Sequence, residues 1–559
     1  MKFKRLMALM LALVVFTAFA IGCSKPADDA GKANEEEKVA EETKDVETKE
    51  ESQEDEKTEE TEEDDGPVQE GGTLTIGLFG EPEQYCPLVN YLSVIENNIV
   101  PNVFNGLVKL NLKKEILPDL AESYEYKDDG KTIVFHLHDN VKWHDGVDFS
   151  AEDVKWSYDA YSNNKNYTDY LFNLDSVKVI DKNTVEFKLK QADAAFIANT
   201  ADLMMYVLPK HIYDGKNIEN NPANKAPIGT GPFKFVEQKA GESVTLEKNP
   251  VYFGKGPYLD KLVFKIYDGL DPQFKALIND EIDYGAVPYN EVDKLANNDK
   301  YKFVSYLVPK IEGIEFNVKS GKFADSKLRE AVLYGLDRKA ICDKVHKDRG
   351  SASDYFISPI YEWALNDDAK MPERDVEKAK KLIEEAGFTM NSDGYYFETS
   401  YLTNTKAEYD DLYKVLVEQF KEIGIKLNRD ELDYSDYISK IHDKKDFEIT
   451  VINFYNGADI SSLSEVFQSY SSINFGAYSN EEMDKELNLG RIAYKIEDRA
   501  PHYKKVQEIA RKDLPVIFLW NFGYKMPVKK YIKNMPFDKV KDEVAPSEYT
   551  LTWIDESKK

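Results

Sequence analysis

Alternation of apolar and polar residues predicts a strand near residue 135. Ile133, Phe135 and Leu137 alternate with Thr, Val and His, the two-residue period of a strand with one strongly apolar face. A turn signal, Lys-Asp-Asp-Gly, occupies 127–130 just before it, because glycine tolerates the positive φ that tight turns often need. The sequence therefore predicts a strand that a tight turn introduces.

Helical periodicity appears in three other segments. Ser150 and Asp153 have the spacing of a capping box, so a helix is expected to begin there. Segments 375–386 and 412–423 each place apolar residues on one face, and a glycine follows each at the C′ position. The second glycine leads into a strand-like run at 425–427. Such helix–glycine–strand units predict an α/β protein.

The first 22 residues predict a secretory signal peptide. Basic residues at Lys2, Lys4 and Arg5 precede an apolar stretch at 6–20, which is short for a membrane span. The sequence then reads Ala-Ile-Gly-Cys and resembles a lipobox, where a signal peptidase cuts before a lipid-modified cysteine, here Cys23. The alternative is an uncleaved anchor with a chance cysteine.

Residues 23–71 predict a disordered acidic tether behind that cysteine. Segment 24–70 contains 21 acidic residues and 6 lysines, which gives 6 − 21 = −15 of the formal net charge of −29. So few apolar residues cannot bury enough area to offset the entropy of ordering. The alternative for part of the segment is a solvated charged helix. The overall negative charge argues against nucleic acid as a partner.

The chain has three cysteines, and none lies in a metal-binding spacing. If Cys23 is lipidated, Cys86 and Cys342 are either free or joined in one disulfide. The spacing does not choose between these states, since pairing depends on geometry.

Five blocks, in order, resemble the bacterial extracellular solute-binding proteins of family 5, the oligopeptide- and dipeptide-binding group. The opening block is DLAESYEYKDDGKTIVFHLHDNVKWHDGVDFSAEDVKWSY at 119–158, and the next is PIGTGPFKF at 227–235, whose glycines are expected to relieve φ constraints. LREAVLYGLDR follows at 328–338, FGAYSNEEMD at 475–484 and DLPVIFL at 513–519. The resemblance covers 72–559.

This resemblance implies an α/β fold of the type II periplasmic-binding-protein kind, with two lobes and an inserted extra subdomain. A ligand would lie between the lobes, which close by a hinge motion. The implied division is lobe I at 72–112, 228–318 and 524–559, inserted subdomain II at 113–227, and lobe II at 319–523.

The resemblance also implies a site for the free α-ammonium of a peptide. In the family an acid in a Cys/Gly-Ala-Asp motif follows a short strand, and here 447–454 reads as the strand and 457–459 as Gly-Ala-Asp. Asp459 is therefore the predicted ammonium anchor, because a buried charge needs a partner. The alternative is that Asp459 caps a turn near Ser461.

Other predicted ligand-binding residues surround that motif or face it from elsewhere. They are Tyr455, Asn456, Gly457, Tyr91, Ser93 and Trp520. Asn456 stands where the family has an aromatic residue, and Gly457 opens the Gly-Ala-Asp motif. Tyr455, Tyr91, Ser93 and Trp520 each have a core position as the alternative.

No motif predicts catalysis, a cofactor or a metal. His136 and His138 alternate along one strand and could ligate a metal, but the sequence suggests no third ligand. His144 lies in the signature turn and is interpreted as structural. Neither a nucleophile motif nor a paired carboxylate motif is present.

The predicted function is a monomeric, membrane-anchored receptor on the extracellular face, or in the periplasm if an outer membrane exists. It would capture oligopeptides and deliver them to the permease of an ABC importer. Two alternatives stay open: a surface sensor or adhesin with the same fold, and a receptor for a non-peptide solute such as a nickel chelate, haem or an oligosaccharide.

Overall fold

The computed structural model describes residues 66–89, 93–202, 204–347, 349–405 and 408–559. The predicted signal peptide, the lipidated Cys23 and nearly all of the tether lie outside these residues, so they stay predictions. Residues Gln69–Lys559 pack as one unit. Within the described ranges, no helix has the length and apolar character needed to cross a bilayer.

Strands of the described residues are, in chain order, β1 (Thr73–Leu78), β2 (Val108–Leu110), β3 (Ile116–Pro118), β4 (Ala121–Lys127), β5 (Thr132–Leu137), β6 (Leu174–Asp181), β7 (Thr184–Leu189), β8 (Phe233–Lys239), β9 (Ser243–Lys248), β10 (Lys261–Ile266), β11 (Tyr301–Phe316), β12 (Gly350–Ala352), β13 (Phe397–Asn404), β14 (Ile425–Leu432), β15 (Ile449–Tyr455), β16 (Val516–Lys529), β17 (Ile532–Lys533) and β18 (Trp553–Ile554).

Helices are α1 (Val94–Asn97), α2 (Ala151–Ser162), α3 (Phe196–Asp202), α4 (Lys210–Tyr213), α5 (Leu270–Ile278), α6 (Ser326–Gly335), α7 (Arg338–Val345), α8 (Val376–Glu385), α9 (Glu408–Glu422), α10 (Tyr434–Ile438), α11 (Ser464–Phe467), α12 (Glu481–Ile492) and α13 (Ile496–Asp513). The predicted cap of α2 is present, since Ser150 and Asp153 form the capping box. The glycines after α8 and α9 have positive φ, as predicted.

Three sheets of four or more strands organise the chain. One has the order β1-β10-β9-β8, a second β4-β5-β7-β6, and a third β12-β16-β11-β15-β13-β14. The second sheet is antiparallel throughout, whereas the third combines antiparallel pairs with the parallel pairs β13–β14 and β13–β15. The predicted strand near residue 135 is β5, at the centre of the second sheet.

Buried apolar residues form two large cores. The first core draws on 74–264 and 528–554, and the second core on 311–520. Strands β11 and β16 belong to the third sheet and pair along most of their lengths, with register shifts between Leu307 and Ile311 and between Glu312 and Gly313. Two cores connected by long strands give the chain two lobes.

The second sheet shares the first core, although its strands pair only with one another. This arrangement is compatible with an inserted subdomain that packs on lobe I. The exact boundaries given above stay predictions.

The first two family blocks meet at His144. Its Nδ1 accepts from the Gly229 N–H at 3.2 Å, and its Nε2–H donates to the Gly231 carbonyl at 3.0 Å. Burial lowers the pKa of this imidazole to about 4, which keeps it neutral for both roles. His144 is therefore structural, as predicted.

The glycines of the second block have a different role from the predicted one. Neither has a positive φ. A Cβ on Gly229 would lie 1.8 Å from the Val103 carbonyl oxygen, and one on Gly231 would lie 2.5 Å from the Val103 carbonyl carbon. Close approach of two backbone segments, and not φ, requires glycine here.

Both described cysteines are free and buried. The open choice for Cys86 and Cys342 is thereby decided in favour of two thiols. His136 and His138 have partly exposed side chains that approach Glu125 and Glu122 at 3.8 and 3.9 Å, as expected of surface histidines.

Candidate ligand-binding site

The predicted Gly-Ala-Asp motif lies in a loop at the end of β15. Tyr455 is the last residue of that strand and pairs with Lys310 of β11. The Asn456 N–H then donates to the Pro309 carbonyl at 2.6 Å, and Gly457 turns the chain with φ +62°. We call residues 455–459 the anchor loop.

Asp459 is buried and bonded within its own lobe. Its carboxylate accepts two hydrogen bonds from the Arg499 guanidinium, at 2.6 and 2.8 Å, and one from the Ser461 N–H at 2.9 Å. Burial works to raise the pKa of this carboxyl, but Arg499 outweighs it and the pKa lies below its ordinary value. The capping role is thus present, and the role as ammonium anchor stays a prediction.

Tyr455 connects the anchor loop to the first core. Its hydroxyl lies 3.1 Å from Lys114 Nζ and 3.5 Å from Asp202 Oδ1, and those two groups are paired at 2.6 Å. Ala458 also packs against Leu110 and Ala198. The anchor loop therefore lies where the two lobes meet, with Tyr455 still 36% exposed.

Asn456 has a buried carboxamide, and neither polar atom of that group has a hydrogen-bond partner among the described residues. Its backbone carbonyl accepts from the hydroxyls of Tyr361, at 3.3 Å, and Ser462. The Asn456 carboxamide is thus an unused donor and acceptor within the anchor loop.

The other predicted residues lie apart from the anchor loop or outside the described ranges. Tyr91 is not among the described residues. Ser93 is exposed and caps α1, where it forms a capping box with Glu96. Trp520 is 1% exposed in the second core, with its ring centroid 4.7 Å from that of His346. Ligand contacts by these residues stay predictions.

A cavity opens beside the anchor loop, between the first-core segments. Its walls come from the stretch around β2, from the end of α3 and from the C-terminal stretch near Glu548. Lys114 and Asp202, which contact Tyr455, also line it. The anchor loop and the cavity are therefore adjacent. We call it the seam cavity.

Charged groups in the seam cavity were not predicted from the sequence. Lys109 Nζ donates to both carboxylate oxygens of Glu548 at 2.8 Å. Asp119 accepts from Asn105 Nδ2 at 2.6 Å and from the Gly106 N–H at 2.8 Å. Burial raises the pKa of the Asp119 carboxyl to about 7, against the influence of Lys109.

Asp119 is the first residue of the first family block, and this position is the sequence signal that could have singled it out. The neighbouring ion pair joins segments that lie far apart in the chain, since Glu548 is 439 residues from Lys109. Spacing along the sequence cannot reveal such a cluster, because only the packing of lobe I brings its members together.

The family model described as "Bacterial extracellular solute-binding proteins, family 5 Middle" matches residues 115–474, more than half of the chain. The chain belongs to this family. The predicted family and the two-lobed α/β fold are thereby confirmed. As a member of family 5, the protein is an extracellular solute-binding protein.

Three comparisons show how far the similarity to named members extends. The oligopeptide-binding protein AppA of Bacillus subtilis is 29% identical over 506 residues, which cover 85% of this chain and 91% of AppA. The solved structure of that AppA with a nonapeptide superposes with a TM-score of 0.62 at 27% identity, covering 88% of this chain and 100% of AppA. NikZ from Campylobacter jejuni with Ni(L-His) gives 0.63 at 25% identity and covers 86% and 97%.

Proposed function

We propose that this protein captures oligopeptides between its two lobes and delivers them to an ABC importer. Similarity to AppA over nearly the full length of both proteins carries the proposal, together with the nonapeptide in the solved AppA structure. A receptor of this kind needs no catalytic group. It needs an enclosed site, which we place at the meeting point of the two lobes.

The contacts of the anchor loop support closure around a ligand. Tyr455 and Ala458 of one lobe contact Lys114, Asp202 and Leu110 of the other. Strands β11 and β16, with their two register shifts, run between the lobes and are suited to act as a hinge. A peptide bound beside the anchor loop would be enclosed by parts of both cores.

Asp459 is the proposed anchor for the peptide ammonium. Because Arg499 already neutralises this carboxylate, the ammonium has to share it with the guanidinium. Asp459→Asn is expected to weaken binding of peptides with a free amine about tenfold, the value of one charge-assisted hydrogen bond. Calorimetric titration measures this. N-acetylated peptides should bind variant and parent equally, and an unchanged affinity for free-amine peptides would remove Asp459 from the site.

We also propose that Cys23 carries the lipid anchor, with residues 24–71 as a spacer between membrane and receptor. Several acyl chains on one cysteine give firm attachment, whereas a single chain does not. Metabolic labelling with palmitate should label the parent and leave Cys23→Ser unlabelled. A parent that takes up no label would favour an uncleaved anchor.

A thermal-shift and calorimetric screen of dipeptides to hexapeptides tests the ligand class. We expect saturable stabilisation by peptides, since a ligand that binds only the folded state raises its stability. Ni(L-His), haem and oligosaccharides form the comparison set, because NikZ shows that this fold accommodates a nickel chelate. Binding confined to that set would overturn the peptide proposal and leave the solute-binding function intact.

A further inference from the structure

We propose that the seam cavity is a subsite for a cationic nitrogen of the bound peptide. The inference rests on the proposed function and assigns a ligand chemistry to a second part of the site. It concerns residues of lobe I and the inserted segment, away from the Asp459–Arg499 pair.

The balance of charge in the cavity favours a cation. Three carboxylates line it, those of Asp119, Asp202 and Glu548, against two ammonium groups, those of Lys109 and Lys114. Each lysine is already bonded to one carboxylate, Lys114 to Asp202 at 2.6 Å and Lys109 to Glu548 at 2.8 Å. Among the described residues, no lysine or arginine lies within ion-pair distance of Asp119.

Asp119 is also held ready for a ligand by neutral groups. Asn105 and the Gly106 N–H fix its two oxygens without cancelling its charge. The groups facing it are Lys109 and Glu548, the phenol of Tyr206 and the phenol of Tyr252. Asp119 therefore has no bonded cation within the described ranges, and a cationic group of the ligand would supply the missing partner for its buried charge.

Aromatic rings supply an independent feature that suits a cation. Phe104 and Tyr206 both line the cavity, and their rings stack with centroids 6.1 Å apart. The face of an aromatic ring attracts ammonium and guanidinium groups, and more strongly where water is excluded. The remaining wall includes apolar side chains such as Leu107 and Met205, which would contact the methylene groups of a long side chain.

Two residues of the cavity lining also contact the anchor loop. Tyr455 contacts Lys114 and Asp202, which belong to the cavity lining. A peptide next to Tyr455 could therefore place a charged group in the cavity. Two groups have the required chemistry: the side chain of a lysine or arginine residue, and the α-ammonium.

The proposal is tested with tetra-alanine peptides that carry a single lysine or norleucine at each position in turn. Each is prepared with a free and with an acetylated amine. At one position we expect lysine to bind about tenfold more tightly than norleucine, because a charge-assisted hydrogen bond and a ring contact are gained. If lysine and norleucine bind equally at every position, while acetylation weakens binding to the parent but not to Asp119→Asn, the α-ammonium occupies the cavity and Asp459 is not its anchor.

Proton release distinguishes this subsite from general attraction between charges. A cation beside Asp119 favours the carboxylate, so binding at pH 7 should expel part of a proton. Calorimetry in two buffers with different ionisation enthalpies measures it. Asp119→Asn should abolish both the release and the lysine preference, and the exposed control Asp175→Asn should keep both.

The outcomes separate the two proposals. Peptides that bind the parent without a cation preference and without proton release overturn the subsite and leave peptide capture standing. If no peptide binds, peptide capture fails, and crystals soaked with n-butylammonium then test the cavity alone. Finding only water in the cavity of those crystals overturns the subsite. Should Asp119→Asn not fold, the lysine preference and proton release of the parent still decide.

Discussion

Asp459 and Asp119 are both buried carboxylates beside the meeting point of the lobes, yet their surroundings differ. Asp459 accepts two hydrogen bonds from Arg499, and its pKa lies below the ordinary value. Asp119 accepts hydrogen bonds from neutral groups, and burial raises its pKa to about 7. The carboxylate of the Gly-Ala-Asp motif is thus already paired with an arginine, whereas the carboxylate that opens the first family block is bonded only to neutral groups.

This difference shows that the identity of a residue does not decide whether it is available to a ligand. A buried charge needs a partner, and the protein itself can supply that partner. Variants of Asp119, of the arginine that pairs with Asp459 and of the nearby contact between the lobes therefore test the comparison.

The largest effect is expected from Arg499→Met. It leaves Asp459 as an unpaired buried charge, and such a loss costs about 3–5 kcal/mol of unfolding free energy. Urea unfolding measures this. The double variant Arg499→Met, Asp459→Asn is the control and should recover part of the loss, since the charge is gone. A single variant as stable as the parent would contradict the pairing.

Asp119→Asn should change how stability depends on pH. The folded pKa of about 7 exceeds the ordinary aspartate pKa of 3.8, so the folded protein keeps a proton that the unfolded chain releases. Stability from this group is therefore complete below pH 4 and falls by about 1.4 kcal/mol per pH unit as the pH rises to 7.

The asparagine variant lacks this titration, so its unfolding free energy should decline less than that of the parent between pH 4 and 7. Urea unfolding at several pH values provides the comparison. Parallel curves for the two proteins would show that Asp119 is ionised in the folded state and would remove the contrast with Asp459.

Tyr455→Phe should have the smallest effect. It removes the hydroxyl that contacts Lys114 and Asp202 and keeps the ring. Because one net hydrogen bond contributes about 1 kcal/mol, we expect a loss of that size or less in unfolding free energy. Thermal unfolding without ligand measures it. Tyr524→Phe, at a similarly exposed tyrosine, is the matched control, and an equal loss there would mean that the contact between lobes contributes nothing.

The sequence by itself determined much of the local structure. Alternation around Phe135 predicted β5, the Ser150–Asp153 spacing predicted the cap of α2, and glycines after α8 and α9 marked their ends. These features depend on neighbours a few residues away, where chain period and capping chemistry are sufficient. The order of the motif blocks also identified the family.

Only the tertiary structure decided which polar groups meet. Arg499 reaches Asp459 from 40 residues away and Glu548 reaches Lys109 from 439. The close contact of Gly229 with Val103 and the exposure of Tyr455 likewise depend on how the lobes pack. A charge is satisfied or left available by its neighbours in space, and packing between distant segments chooses those neighbours.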